Sequence, residues 1–197
     1  MQYIRQSQEL KPTTQSSIQM SSVVTLSLIL AHAVAAMANP VARAACNPSL
    51  AGSGVSIASG SLELGYSSSV AGAVIISQPL SATSPEFIAE ATTVSNGGFL
   101  LKDSNQDNHA AGLFCTNVNG SLELETAVSP EDGTQGWGFV CSTCNAVTTG
   151  LIASGCNVVS GFSGKCLQIG SAVGDAVAIA TCSDLGAGPQ YFDVYVG

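Results

Sequence analysis

The sequence predicts an all-β domain of three pseudo-repeats, each of about four short strands. Three observations carry that expectation. The pentapeptide Gly-Ser-Leu-Glu-Leu occurs at 60–64 and again at 120–124, and a diverged copy, Lys-Cys-Leu-Gln-Ile, stands at 165–169. Each copy runs to an aromatic residue through a turn-rich stretch. Phe87 lies 23 positions beyond Leu64 and Phe192 lies 23 beyond Ile169, while Trp137 lies only 13 beyond Leu124 and implies a shorter middle repeat. Nothing after Ala45 sustains a helical period with caps; short apolar runs recur between Gly, Ser, Asn and Asp clusters instead. A unit this small cannot bury its apolar face alone, so three copies must meet around one shared core.

The strands follow in order. Runs at 55–58, 61–64, 74–77 and 87–91 make the first repeat, 45–96; runs at 99–102, 113–117, 121–125 and 137–141 make the second, 97–144. The third repeat, 145–197, holds runs at 151–153, 157–159, 166–169, 177–181 and 191–196. Asn119-Gly120 separates two runs and predicts a tight hairpin turn, since both residues tolerate positive φ. Asn96-Gly97-Gly98 and residues 145–150 punctuate the repeat boundaries. Side chains alternate along a strand, so Leu64 and Ile169 are expected inside, with Glu63, Glu123 and Gln168 outside.

Residues 1–44 read as a leader and secretory signal. The apolar run from Val23 to Ala38 is shorter than the ~20 residues of a spanning helix; Arg5 and Lys11 precede it, and Ala42-Arg43-Ala44 gives an A-x-A cleavage pattern. Met20 is a second candidate start. Beyond residue 44 only Lys102 and Lys165 oppose twelve acids, a formal charge of −10. Such a surface repels phosphate backbones and anionic bilayers, which excludes nucleic acid as a partner and, once the signal is removed, a membrane. All seven cysteines lie after the cleavage site, where an oxidising compartment favours disulfides and an odd count leaves at least one thiol over. Cys166 and Cys182 flank one repeat's strand pair and are expected to bridge. Cys144 with Cys156 is a second expected pair; Cys46, Cys115 and Cys141 are unassigned.

The last third resembles a ricin-B-type β-trefoil lectin repeat. The residues that carry the likeness are Cys166-Leu167-Gln168-Ile169-Gly170, then Gly174-Asp175-Ala176-Val177-Ala178-Ile179, then Cys182 and Gln190-Tyr191-Phe192. Gln135-Gly136-Trp137 repeats the family's Gln-x-Trp signature, whereas Pro85 stands two before Phe87 where the glutamine belongs. The resemblance implies a β-trefoil in which Phe87, Trp137 and Phe192 fill the core and Gln135 and Gln190 are signature residues. It also implies carbohydrate binding through an acid that accepts sugar hydroxyls and a ring that stacks on the sugar. Gln168 occupies the acidic position and Thr181 the aromatic one, so a sugar site would draw on Glu63, Glu123 or Gln168 with Tyr66 or Asn119 nearby.

Other motifs point to structure. Cys141-Ser-Thr-Cys144 with Cys156 lacks a fourth zinc ligand and any βαβ context. Asp103-Ser-Asn105-Gln-Asp107-Asn108 starts like a calcium loop but has Asn108 for the turn glycine and Phe114 for the closing glutamate. His109 has no nucleophile–base set around it, and acids such as Glu123, Glu131 and Asp132 come without substrate-lining aromatics. Asn119-Gly120-Ser121 is an N-glycan acceptor pattern. The expectation is a secreted, non-enzymatic β-trefoil with no cofactor and no metal, binding glycans. The alternative is a scaffold with decayed sugar sites that contacts a secreted or host protein, as a protease inhibitor does.

Overall fold

The computed structural model describes residues 45–81, 85–92, 98–105, 112–129, 132–185 and 188–197. The chain divides into two compact units, Met1–Pro40 and Val41–Gly197; the first, with the expected signal, lies outside the described residues, as do Asn96, Gly97, Asp107, Asn108, His109 and Glu131. The second unit is all-β, with twelve described strands. They are β1 (Ser53–Ser59), β2 (Leu62–Tyr66), β3 (Ala73–Pro79), β4 (Phe87–Ala91), β5 (Phe99–Asp103), β6 (Leu113–Val118), β7 (Ser121–Thr126), β8 (Gly136–Cys144), β9 (Gly150–Ser160), β10 (Cys166–Gln168), β11 (Ala178–Ala180) and β12 (Phe192–Val196). One 3-10 turn, Gly188–Gln190, precedes the last strand.

The pairing repeats every four strands. Antiparallel pairs β1–β4, β4–β5, β5–β8, β8–β9, β9–β12 and β12–β1 close a ring. The remaining strands form three hairpins, β2–β3, β6–β7 and β10–β11. Each hairpin joins the ring through its own unit's first strand. The hairpins also meet one another, through β3–β7, β7–β11 and the Ile76–Ala176 bridge.

Phe87, Trp137 and Phe192 each start or nearly start the last strand of a unit, and each pairs with that unit's first strand, opposite Val55, Phe99 and Cys156. All three are fully buried, as expected, and truncating a ring in such a core costs roughly 3–5 kcal/mol. The Trp137 indole N–H donates to the Cys115 carbonyl at 2.9 Å, which satisfies its polar atom inside the core. Leu64 and Ile169 are buried with them.

Four expectations are corrected. The two perfect copies of Gly-Ser-Leu-Glu-Leu are not equivalent: the first lies in β2, the second strand of its unit, and the other in β7, the third. The middle unit is therefore not short; Leu124 is one strand nearer its aromatic, and the counterpart of β2 is β6. The runs at 151–153 and 157–159 are one strand, β9, whose register against β12 shifts around a Gly155 with φ of 64°, the behaviour of a bulge. Glu63 is buried rather than outside, because the loop after β3 folds over it and Ser81 donates to its carboxylate at 2.7 Å. Cys144 does not pair with Cys156. The β8–β9 register sets Cys141 opposite Cys156, and Cys144, an odd number of residues on, faces the other way. The bridges are Cys141–Cys156, Cys46–Cys144 and the expected Cys166–Cys182. Three disulfides are consistent with an extracellular protein. Cys115 is the free cysteine among the described residues, and burial pushes its thiol far up.

Candidate functional site

The β6–β7 hairpin turns in two residues, Asn119 at φ 53° and Gly120 at φ 97°, between the paired Val118 and Ser121. This is the predicted Asn-Gly turn. Asn117, buried at the end of β6, shapes it: its Oδ1 accepts from the Gly120 N–H at 3.0 Å. The same amide donates through Nδ2 to the hydroxyls of Ser160 and Ser163, at 3.3 and 3.5 Å. Those serines bracket the β9–β10 turn, which carries Phe162. The turn is also tied to β8, Gly161 donating to the Gly136 carbonyl at 2.8 Å. Asn117 completes the junction through its backbone N–H, 2.9 Å from the Thr134 carbonyl.

Between the hairpin and this turn lies an open groove of about 360 Å³, lined among others by Thr116, Asn119, Glu125, Thr134 and Phe162. The Phe162 ring is 60% exposed. An aromatic of that exposure beside a carboxylate, an amide and threonines offers one apolar face and several hydrogen-bonding groups. A smaller crevice of about 140 Å³ adjoins it at Val128, between Leu100 and Gln135.

Of the residues expected to bind sugar, Asn119 lines this groove. Glu123 is half-buried on β7, opposite Thr116 and Val74, two residues from Glu125; it is Glu125 that reaches the groove. Gln168 is half-buried on β10 opposite Ala178, in the third hairpin. Glu63 is buried in the first. The expected set is thus distributed over three hairpins. Phe162, Glu125, Asn117 and Thr134 were not among the expected residues. A phenylalanine set in the turn sequence Ser-Gly-Phe-Ser-Gly is the one signal that could have drawn attention to Phe162.

The signature glutamines act as fasteners. Gln135 accepts from the Val128 N–H at 3.1 Å and donates to the Thr126 carbonyl at 2.8 Å and the Thr116 hydroxyl at 2.9 Å. Gln190 repeats the pattern on Ser183 and Thr181, at 2.7 and 2.9 Å. Asp103, the first residue of the calcium-like run, is buried and accepts from the Tyr66 and Ser69 hydroxyls and from the Asn105 N–H. Burial, and then the hydrogen bond to Asp103, push the Tyr66 phenol far up. Burial likewise raises the Glu86 carboxyl, and the Asp103 charge adds to it against the Gln78 amide. Among the described residues no cluster of His, Cys, Asp and Glu could hold a metal ion.

No family model and no curated protein matches the chain. Among solved structures it is similar to a designed 3-fold symmetric protein, ThreeFoil, at TM-score 0.51 and 14% identity, over 72% of this chain and 96% of that one. It is also similar to the lysenin pore at TM-score 0.53 and 9% identity, over 78% of this chain but only 50% of that one. At such identities the likeness is one of architecture, and the chain shares an all-β, trefoil-like fold.

Proposed function

We propose that this chain is a secreted β-trefoil protein of the ricin-B-like class that binds carbohydrate without catalysing a reaction. The observation that carries the reading is the groove that sets the exposed Phe162 ring beside Glu125 and Asn119. A pyranose has an apolar face that stacks on such a ring, while the carboxylate and amide exchange hydrogen bonds with its hydroxyls. An open site of this kind binds weakly alone and gains from multivalent display. A glycan array probed with the 45–197 domain tests the proposal, followed by calorimetry on the glycans that bind. Phe162→Ala and Glu125→Gln are each expected to weaken binding about tenfold or more, ~1.4 kcal/mol. Silence across the array, or binding indifferent to both substitutions, sinks it.

A second reading, a scaffold acting through protein contacts, draws support from Val70 and Val173. They stand 53% and 60% exposed in the turns of the first and third hairpins.

A further inference from the structure

The first unit lacks the glutamine that fastens the other two. Gln135 and Gln190 each reach back seven residues to accept an N–H and nine to donate to a carbonyl, at the chain's exit from the third strand. Both halves of the amide are used. In the first unit Pro85 stands two before the core aromatic and offers neither group.

The corresponding loop is fastened from β2 instead. Ser81, two residues beyond the end of β3 as Val128 is beyond β7, donates its N–H to Glu63 Oε1 at 2.7 Å. That accounts for the accepting half. The other oxygen, Oε2, is buried and has no hydrogen-bond partner. An ionised carboxylate would leave a full lone-pair set sealed from water there, a costly arrangement. A protonated one would present an O–H, the donor that an amide supplies in the other units.

The surroundings favour the proton. The groups acting on the Glu63 carboxyl are Ser81, Ser56 on β1, Gln78 on β3 and Glu86 just before β4, none of them cationic. Asp103 on β5 stands behind Glu86, and Tyr66 donates to Asp103. Burial is the largest influence and raises the carboxyl; the Ser81 and Ser56 bonds oppose it, and Glu86 adds to it. The Gln78 amide hydrogen-bonds to both Glu63 and Glu86 and opposes the rise of each, less than burial raises it. The Gln78 side chain lies over Gly65, where an added Cβ would collide with the amide.

We propose that Glu63 stands in for the missing glutamine as a protonated acid, accepting from Ser81 through one oxygen and carrying its proton on the buried other, so that the stability of the first unit's loop depends on pH. The stability contributed by the protonated acid is fully present below the range in which an exposed glutamate ionises. It is lost as pH rises through the higher range in which folded Glu63 gives up its proton, because there the folded state binds more protons than the unfolded one.

The test follows the Glu63 side-chain carboxyl carbon by NMR across pH in the intact domain, together with amide exchange at Ser81 and the denaturation midpoint of wild type, Glu63→Gln and Glu86→Gln. Titration of Glu63 above the ordinary glutamate range supports the proposal; each unit of displacement means about tenfold tighter proton binding. Glu63→Gln is expected to raise the midpoint at alkaline pH and to flatten Ser81 protection against pH, while Glu86→Gln, which removes a charge that adds to the shift, should lower the Glu63 titration only in part, burial being the larger cause. Glu63 titrating at or below the ordinary range overturns the proposal, whether or not the glutamine variant folds. A Glu63→Gln protein as pH-sensitive at Ser81 as wild type overturns it equally.

Discussion

A single buried amide, that of Asn117, holds two turns in register: its oxygen shapes the Asn119–Gly120 tip and its nitrogen grips the serines around Phe162. Replacing Asn117 with alanine strands three polar partners, and losses of this kind run about 1–3 kcal/mol. Asn117→Ala should lower stability by that amount in urea titrations. It should also weaken any ligand of the groove, although Asn117 need not touch the ligand, because Phe162 and Asn119 lose their mutual placement. Some of the residue-level picture was legible in the chain. Phe87, Trp137 and Phe192 were readable as core through the resemblance to the ricin-B-type repeat, whose Gln-x-Trp ring fills the core, and Asn119-Gly120 was readable because few other dipeptides accept two positive φ angles. Glu63 was not. Alternation assigns it outward, and its burial comes from Ser81 and Gln78, which only the third dimension brings over it. Phe162 and Glu125 were missed for the same reason, since their proximity joins segments from two different units.

Strands as elements were legible almost throughout, and their equivalence was not. An alternating pair of leucines after a Gly-Ser turn suits any hairpin arm with one face in the core, so the same pentapeptide serves as the second strand in one unit and the third in the next. Likewise the β9 bulge at Gly155 interrupts the apolar pattern without ending the strand. The cysteine pairing failed at this scale too: which of Cys141 and Cys144 meets Cys156 depends on register, and register is fixed by pairing over the whole of β8 and β9. The outcome matters for the N-terminal segment. Cys46 exchanges two backbone hydrogen bonds with Cys141, each 2.9 Å, and its disulfide to Cys144 spans 98 residues. Closing so long a loop constrains the unfolded chain strongly, so the double variant Cys46→Ser, Cys144→Ser should lose about 2–5 kcal/mol in denaturant titrations. Hydrogen exchange should show the loss concentrated in residues 46–52. An unchanged midpoint would mean that the segment is held by its backbone bonds alone.

For the molecule as a whole, three units of about four strands around one core were implied by the repeat, while the ring of strands and its closure by the first and last, Val55 opposite Val196, were not. Acidity is distributed unevenly over it. Glu63, Glu86, Asp103 and Tyr66 gather in and beside the first unit, whereas the glutamine-fastened units have no such cluster among their described residues. Glu63 and Glu86 are both raised by burial. Their combined contribution is therefore present below the ordinary glutamate range and declines as pH rises through their raised ranges, opposite to that of a carboxylate stabilised by a salt bridge. The covalent frame has a mechanical consequence. With Cys46 joined to Cys144, Cys141 to Cys156 and Cys166 to Cys182, tension applied at the two ends of the domain passes through sulfur and skips most of the polypeptide. Only short tethers can pay out, roughly a fifth of the reduced chain's reach at ~3.6 Å per residue. Held in an optical trap, the oxidised domain should lengthen little at any force, and the missing extension should return when a reductant is flowed in.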